Sequence, residues 1–173
     1  MRAAAIRLRK TVRVPHMRLT QQLLRVTHMP MLDTKTCSLR ICIAGSPRAG
    51  KTTLAGLLGQ HYGLEPLHTD DLIPLGWSND SAAAMKWFGL PGFIVEGCAV
   101  PRALRKWMKA HRTGKPCDVV LWLPRPFGAL TDGQATMAKG CLTVWSGIEA
   151  ELRKRGVVVL NDRDALLALR GAA

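Results

Sequence analysis

The sequence predicts an α/β fold with a parallel sheet. Three observations predict it. Short apolar, β-branched runs alternate with stretches whose apolar residues recur at helical spacing. A glycine-containing stretch separates the first such run from the first such helix. The chain has 173 residues, 47% of them hydrophobic, enough for one domain with its own core.

The first strand is Leu39 to Ala44, apolar and bounded by Gly45. Thr52 to Gln60 follows as a helix, with Leu54, Leu57 and Leu58 on one face. Residues 63–71 read as a short second strand ending in Asp70 and Asp71. Pro74, Gly76, Ser78 and Asn79 predict an irregular loop, and Asp80 or Ser81 would cap a helix running to Phe88. Pro91 and Gly92 turn the chain into a third strand, Phe93 to Val95, ending at Glu96 and Gly97. Pro101 suits the first turn of a helix that runs to about Arg112. Val119 to Leu123 is the fourth strand, stopped by Pro124 and Pro126. Residues 134–155 are helical, with breaks expected near Gly140 and Gly147. Val157 to Leu160 is a fifth strand, and Asn161 or Asp162 would cap a last helix to Leu169.

The stretch between the first strand and first helix is Gly45, Ser46, Pro47, Arg48, Ala49, Gly50, Lys51, Thr52. It fits G-x-x-x-x-G-K-[ST], the phosphate-binding P-loop, in the strand-loop-helix context that its mechanism needs. Its backbone N–H groups and the positive end of the next helix, which includes Thr53, would hold a β-phosphate. Lys51 would reach the β- and γ-phosphates, and the Thr52 hydroxyl would bind Mg²⁺. A nucleoside triphosphate is therefore the expected ligand.

In parallel α/β sheets the ligand lies beyond the carboxyl ends of the strands. That rule selects the remaining candidates. Asp70 and Asp71 could divide a metal role, assigned to Asp70, and a catalytic base role. Glu96, at the end of the third strand, could hold a metal-bound water or bind an acceptor hydroxyl. Arg102 opens a basic stripe with Arg105, Lys106, Lys109 and Arg112, and it could bind an acceptor phosphate or a nucleic-acid backbone. Arg125, after the fourth strand, and Lys139 are candidates to neutralise the transferring phosphoryl group. Asp118 lies at the amino end of its strand and reads as a turn residue. Five tryptophans read mostly as core, with Trp77 placed to stack on a base.

The formal net charge is +13, unevenly spread. Residues 1–36 hold eight Lys/Arg and one acid, a net +7; the remaining 17 basic and 11 acidic residues give +6. We divide the chain into this basic extension, 1–36, and a domain over 37–173. The extension is either an upstream segment with no function of its own, disordered in isolation, or an arm that contacts nucleic acid. It has no continuous apolar run for a secretory signal, and no run in the chain reaches the ~18 apolar residues of a membrane span. The five cysteines are widely spaced and include no C-x-x-C, which argues against a zinc site or disulfide framework. They read as reduced packing residues of a cytoplasmic protein.

The P-loop, the stretch His68-Thr69-Asp70-Asp71, and Ile94-Val95-Glu96-Gly97 before a basic helix together resemble the small P-loop kinases. These include nucleoside and nucleotide kinases, adenylate-kinase-like topology modulation proteins and uncharacterised phage-encoded P-loop ATPases. The resemblance covers about residues 38–161. It implies a three-layer P-loop fold with a five-stranded parallel sheet in order 2-3-1-4-5, Mg-ATP as donor and a small acceptor. It would put Asp70 or Asp71 near the acceptor hydroxyl. The arginine-rich lid of those kinases has no counterpart: between Arg125 and Arg153 the only basic residue is Lys139. The expectation is a phosphotransferase moving the γ-phosphate of Mg-ATP to a nucleoside, a nucleotide or a 5′-hydroxyl. The alternative is an ATP-binding regulatory or nucleic-acid-associated P-loop ATPase.

Overall fold

A computed structural model describes residues 38–75 and 77–161, without the side chains of 75–78. The basic extension, Cys37, the stacking role of Trp77 and the last helix lie outside what is described. The elements run β1 (Arg40–Gly45), α1 (Lys51–Tyr62), β2 (Pro66–His68), a 3-10 segment (Thr69–Leu75), α2 (Trp77–Trp87), β3 (Phe93–Gly97), α3 (Val100–Ala110), β4 (Val119–Leu123), α4 (Asp132–Ser146), α5 (Glu149–Lys154) and β5 (Val158–Asn161).

The five strands form one sheet in order β2-β3-β1-β4-β5, every pairing parallel. With helices on both faces, this is a three-layer α/β fold, with the strand order that the resemblance implied. The alternation of side chains along each strand divides the core in two. Cys42 and Ala44 of β1, Phe93 and Val95 of β3, and Val120 and Trp122 of β4 face one layer, where they meet Ala84 of α2, Leu104 of α3 and Trp145 of α4. Ile41 and Ile43, Ile94, and Val119, Leu121 and Leu123 face the other, packed on Leu54, Ala55 and Leu58 of α1. Trp122 stacks on Trp145 with ring centroids 4.6 Å apart and planes within 9°, so β4 and α4 are joined at the centre of the first layer.

Three expectations are corrected. β2 ends at His68, and Asp70 and Asp71 belong to the 3-10 segment after it. Pro74 lies inside that segment, which tolerates it because so short a helix has few interior N–H donors to lose. The expected irregular loop is shorter: α2 already begins at Trp77, and Asp80 and Ser81 are buried inside it rather than capping it. Gly140 does not break α4, which continues to Ser146 and stops at Gly147. One glycine costs only about 1 kcal/mol in a helix, and a Cβ there would stand in ordinary contact, 3.7 Å from Arg102 Nη2. The start of α4 is fixed by a capping box: Gln134 N–H donates to Thr131 Oγ1, and Thr131 N–H donates to Gln134 Oε1.

At the amino end of the sheet Asp118 accepts from Arg40 Nη2 at 3.1 Å and pairs with Lys115 Nζ at 2.9 Å. This joins β1 to the approach to β4 and agrees with a turn residue away from the loop. Among the described residues no helix is long and apolar enough to cross a membrane.

Candidate functional site

The carboxyl ends of β1, β3 and β4 converge on the loop from Gly45 to Thr52. Gly45 has φ +150°, and a Cβ there would stand 2.0 Å from the Leu123 carbonyl oxygen. Only glycine allows β1 to end this close to β4. Ser46 then locks the loop to the end of β4: its N–H donates to Leu123 O at 2.9 Å and its hydroxyl to Pro124 O at 2.6 Å. Pro47 and Ala49 are buried beneath the turn. Arg48 adopts φ +58°, a left-handed conformation that costs a non-glycine residue free energy. It is held there from both ends. Phe127 N–H donates to its carbonyl at 3.0 Å, and its own Nη1 donates to Ala129 O at 2.7 Å. Gly50, with φ +78°, hands the chain to α1.

Lys51 opens α1 and is buried, its ammonium turned into the loop. Nζ donates to Ser46 O at 2.8 Å and approaches Cys98 Sγ at 3.6 Å. An ammonium has three donors, so these contacts set its direction without exhausting it. Thr52 and Thr53, exposed in the same first turn, follow it.

Glu96 is the carboxylate that the fold brings to this turn. It shares the parity of Ile94 on β3 and so faces α1. Thr52 Oγ1 donates to its Oε1 at 3.0 Å. His68 pairs with Glu96 in the register of β2 and β3, and its Nδ1 lies 2.8 Å from the same oxygen. Glu96 is 3% exposed, so these two partners offset much of the cost of burying its charge. With its proton directed at Glu96, the Thr52 hydroxyl keeps its lone pairs for a cation. Among the described residues no three His, Cys, Asp or Glu side chains cluster as a metal cage. A hydroxyl and one carboxylate suit Mg²⁺, which keeps several waters and shares its other sites with phosphate oxygens.

Two thiols close the floor of the site, and neither was singled out from the sequence. Cys98 Sγ donates to Gly45 O at 3.4 Å from the β3–α3 turn, and Cys141 Sγ reaches the same oxygen at 3.6 Å from α4. Burial pushes the Cys98 thiol up, with the Lys51 ammonium opposing it, and pushes the Cys141 thiol up to about 12. They satisfy a buried carbonyl as neutral donors. At the end of β3 Gly97 has φ +138°, and a Cβ there would meet Thr69 Oγ1 at 1.8 Å. Thr69 is buried, and that hydroxyl has no hydrogen-bond partner among the described residues.

The other sequence candidates are spread around this centre. Asp70 and Asp71 are exposed on the 3-10 segment, and Asp70 is close enough to Cys98 to act on its thiol. Arg102, half-buried at the start of α3, points toward Gly140 and Cys141. Arg125 is exposed just after β4. Lys139 is exposed on α4, about 200° around the helix from Cys141, which faces the loop. The structure thus brings Lys51, Thr52 and Glu96 together, sets Asp70 and Arg102 nearby, and turns Lys139 away. His68 was quoted only as part of a motif; its pairing with Glu96 depends on strand register, which no local pattern carries.

No family model matches the chain, and no curated protein matches it. Among solved structures the chain is similar to a shikimate kinase from Bacteroides thetaiotaomicron. The two are 14% identical, 78% of this chain and 95% of that one are covered, and the TM-score is 0.35. The likeness is one of fold. At that TM-score it adds no argument about the site, which stands on its own geometry.

Proposed function

We propose that this protein is a phosphotransferase that moves the γ-phosphate of Mg-ATP to a small nucleoside-type, nucleotide-type or 5′-hydroxyl acceptor. The observation that carries the reading is the contact of Thr52 with the buried Glu96, beside Lys51 at the head of a P-loop. Backbone N–H groups of residues 45–51 would hold the β-phosphate, and Lys51, directed into the loop at Ser46 O, would reach the β- and γ-phosphates. Thr52, oriented by Glu96, would hold Mg²⁺, which would neutralise charge on the phosphate oxygens. Asp70 stands beside the loop as the candidate to orient the acceptor hydroxyl and take its proton. Arg125, exposed just after β4, is the candidate cation for the transferring group.

A second reading is an ATP-binding regulatory or nucleic-acid-associated ATPase. It is favoured by one observation: Lys139, the only basic residue between Arg125 and Arg153, faces away from the loop. The two readings separate with ATP labelled in the γ-phosphate and a panel of nucleosides, nucleoside monophosphates and 5′-hydroxyl oligonucleotides. Label on one acceptor, absent with Lys51→Ala, is expected. Label released only as free phosphate would replace the first reading with the second.

A further inference from the structure

The connection from β4 to α4, residues 124–131, lies along the phosphate loop. Residues 125–129 are all exposed, so burial does little to fix their course. Hydrogen bonds join connection and loop at three points. Ser46 Oγ donates to Pro124 O at 2.6 Å, Phe127 N–H donates to Arg48 O at 3.0 Å, and Arg48 Nη1 donates to Ala129 O at 2.7 Å. Gly128, with φ +153°, turns the chain between the last two points, and a Cβ there would stand 3.9 Å from Arg48 Nη2. Arg48 thus supplies two of the three joins. Among the described residues it is also the only non-glycine residue with a positive φ, +58°. Glycine would take that conformation without strain, so an arginine there points to a use for its side chain. The bond to Ala129 is that use.

We infer that Arg48 is a positioning residue: its guanidinium latches the β4–α4 connection, and with it Arg125, against the phosphate loop. Arg125 lies between Pro124 and Phe127, two of the joined points, so its backbone is held on both sides. What Arg125 does there rests on the phosphotransferase reading; the latch does not. A connection held in this way needs no closing step to bring its cation to the loop, because the orientation is set before nucleotide arrives. The charged donor also makes this the strong member of the set, since a hydrogen bond from a guanidinium exceeds one between neutral groups.

Two substitutions open the latch from opposite sides. Arg48→Gly removes the guanidinium, keeps every backbone N–H of the loop and relieves the strain. Gly128→Ala leaves the loop untouched; its methyl has room, 3.9 Å from the nearest atom, but strains the turn at φ +153°. Hydrogen exchange of the Phe127 amide, whose acceptor is Arg48 O, reads the latch without any activity. That amide should exchange about tenfold faster in both variants, the scale of one lost hydrogen bond. Transfer of label from ATP should fall about tenfold or more in kcat with the KM for ATP changed less, as misplacement rather than lost binding requires. The urea midpoint of Arg48→Gly should hold or rise, whereas a merely structural role would lower it. The double variant should lose little more than either alone, because both break one contact. Unchanged Phe127 exchange in both variants would overturn the latch, even where kcat falls because Arg48 acts on a phosphate directly. Faster exchange with unchanged kcat would overturn the positioning role. A wild-type protein that labels no acceptor removes the phosphotransferase reading, and the exchange result still decides the latch.

Discussion

Thr52 and Glu96 are 44 residues apart in the chain, and their side chains meet at 3.0 Å. One comes from the first turn of α1 and the other from the end of β3. Parallel pairing of β1 with β3 sets Glu96 opposite Ile43, two residues before the loop begins. The carboxylate then has nowhere to face but the start of α1.

That contact predicts a specific defect. Glu96→Gln keeps the shape but offers Thr52 an amide in place of a charge. Transfer should fall by about a hundredfold or more, the scale of losing one electrostatic stabiliser of a developing charge. The Mg²⁺ concentration for half-maximal rate should rise with it. Initial rates over a magnesium series measure both. An unchanged magnesium dependence would remove Glu96 from the metal's surroundings.

Asp70→Asn should lower kcat by about 10²- to 10⁴-fold, the range of a lost general base, while ATP still binds. Asp71→Asn should do less, because Asp70 is the one whose charge reaches Cys98 beside Lys51. Rates and ATP affinity measured on both variants rank them. Equal, wild-type rates in both would show that neither takes the acceptor proton.

Gly45→Ala would force a Cβ to within 2.0 Å of a backbone oxygen, at φ +150°. Backbone cannot move aside as a flexible side chain can. The expected loss is about 3 kcal/mol or more, in the class of severe backbone substitutions. Urea unfolding would read it as a lower midpoint at unchanged slope.

Asp118 gives a pH dependence with a definite sign. Burial pushes its carboxyl up, but hydrogen bonds from Arg40 and Lys115 outweigh this and hold it below the ordinary 3.8. The folded form therefore prefers the carboxylate more than the unfolded chain does. The stabilisation is present above about pH 4 and is lost as pH falls through the lowered folded value. Asp118→Asn should flatten that part of the acid limb. Unfolding free energies between pH 2 and 6, for both proteins, provide the comparison.

The thiols beneath the loop should be slow to react. The thiolate is the nucleophile, and burial raises Cys42, Cys98 and Cys141 above the ordinary value. Alkylation of the folded protein at pH 8, followed residue by residue by mass spectrometry, should label these three at least tenfold more slowly than in denaturant. Rapid labelling of Cys98 alone would mean that the Lys51 ammonium dominates its surroundings.

Much of this protein was legible in its sequence. The P-loop motif, the positions of β1, β3 and β4 and the start of α3 follow from patterns only a few residues long, because strand alternation and turn chemistry act over that range. Resemblance to small P-loop kinases supplied the strand order, which the structure repeats. The errors fall where short-range signals compete. Residues 63–71 read as a short strand ending in Asp70 and Asp71, yet the chain coils into a 3-10 segment from Thr69. Gly140 looked like a helix breaker, but the packing of Trp145 and Cys141 against the sheet outweighs its small helical penalty. What only the tertiary structure decided is which side chains meet. Glu96 meets Thr52 and His68 through register, and Cys98 and Cys141 meet one carbonyl from a turn and a helix. The reason is physical: a sequence writes its local periodicities directly, whereas contacts between distant residues exist only once the sheet has fixed the distance and facing of every strand end.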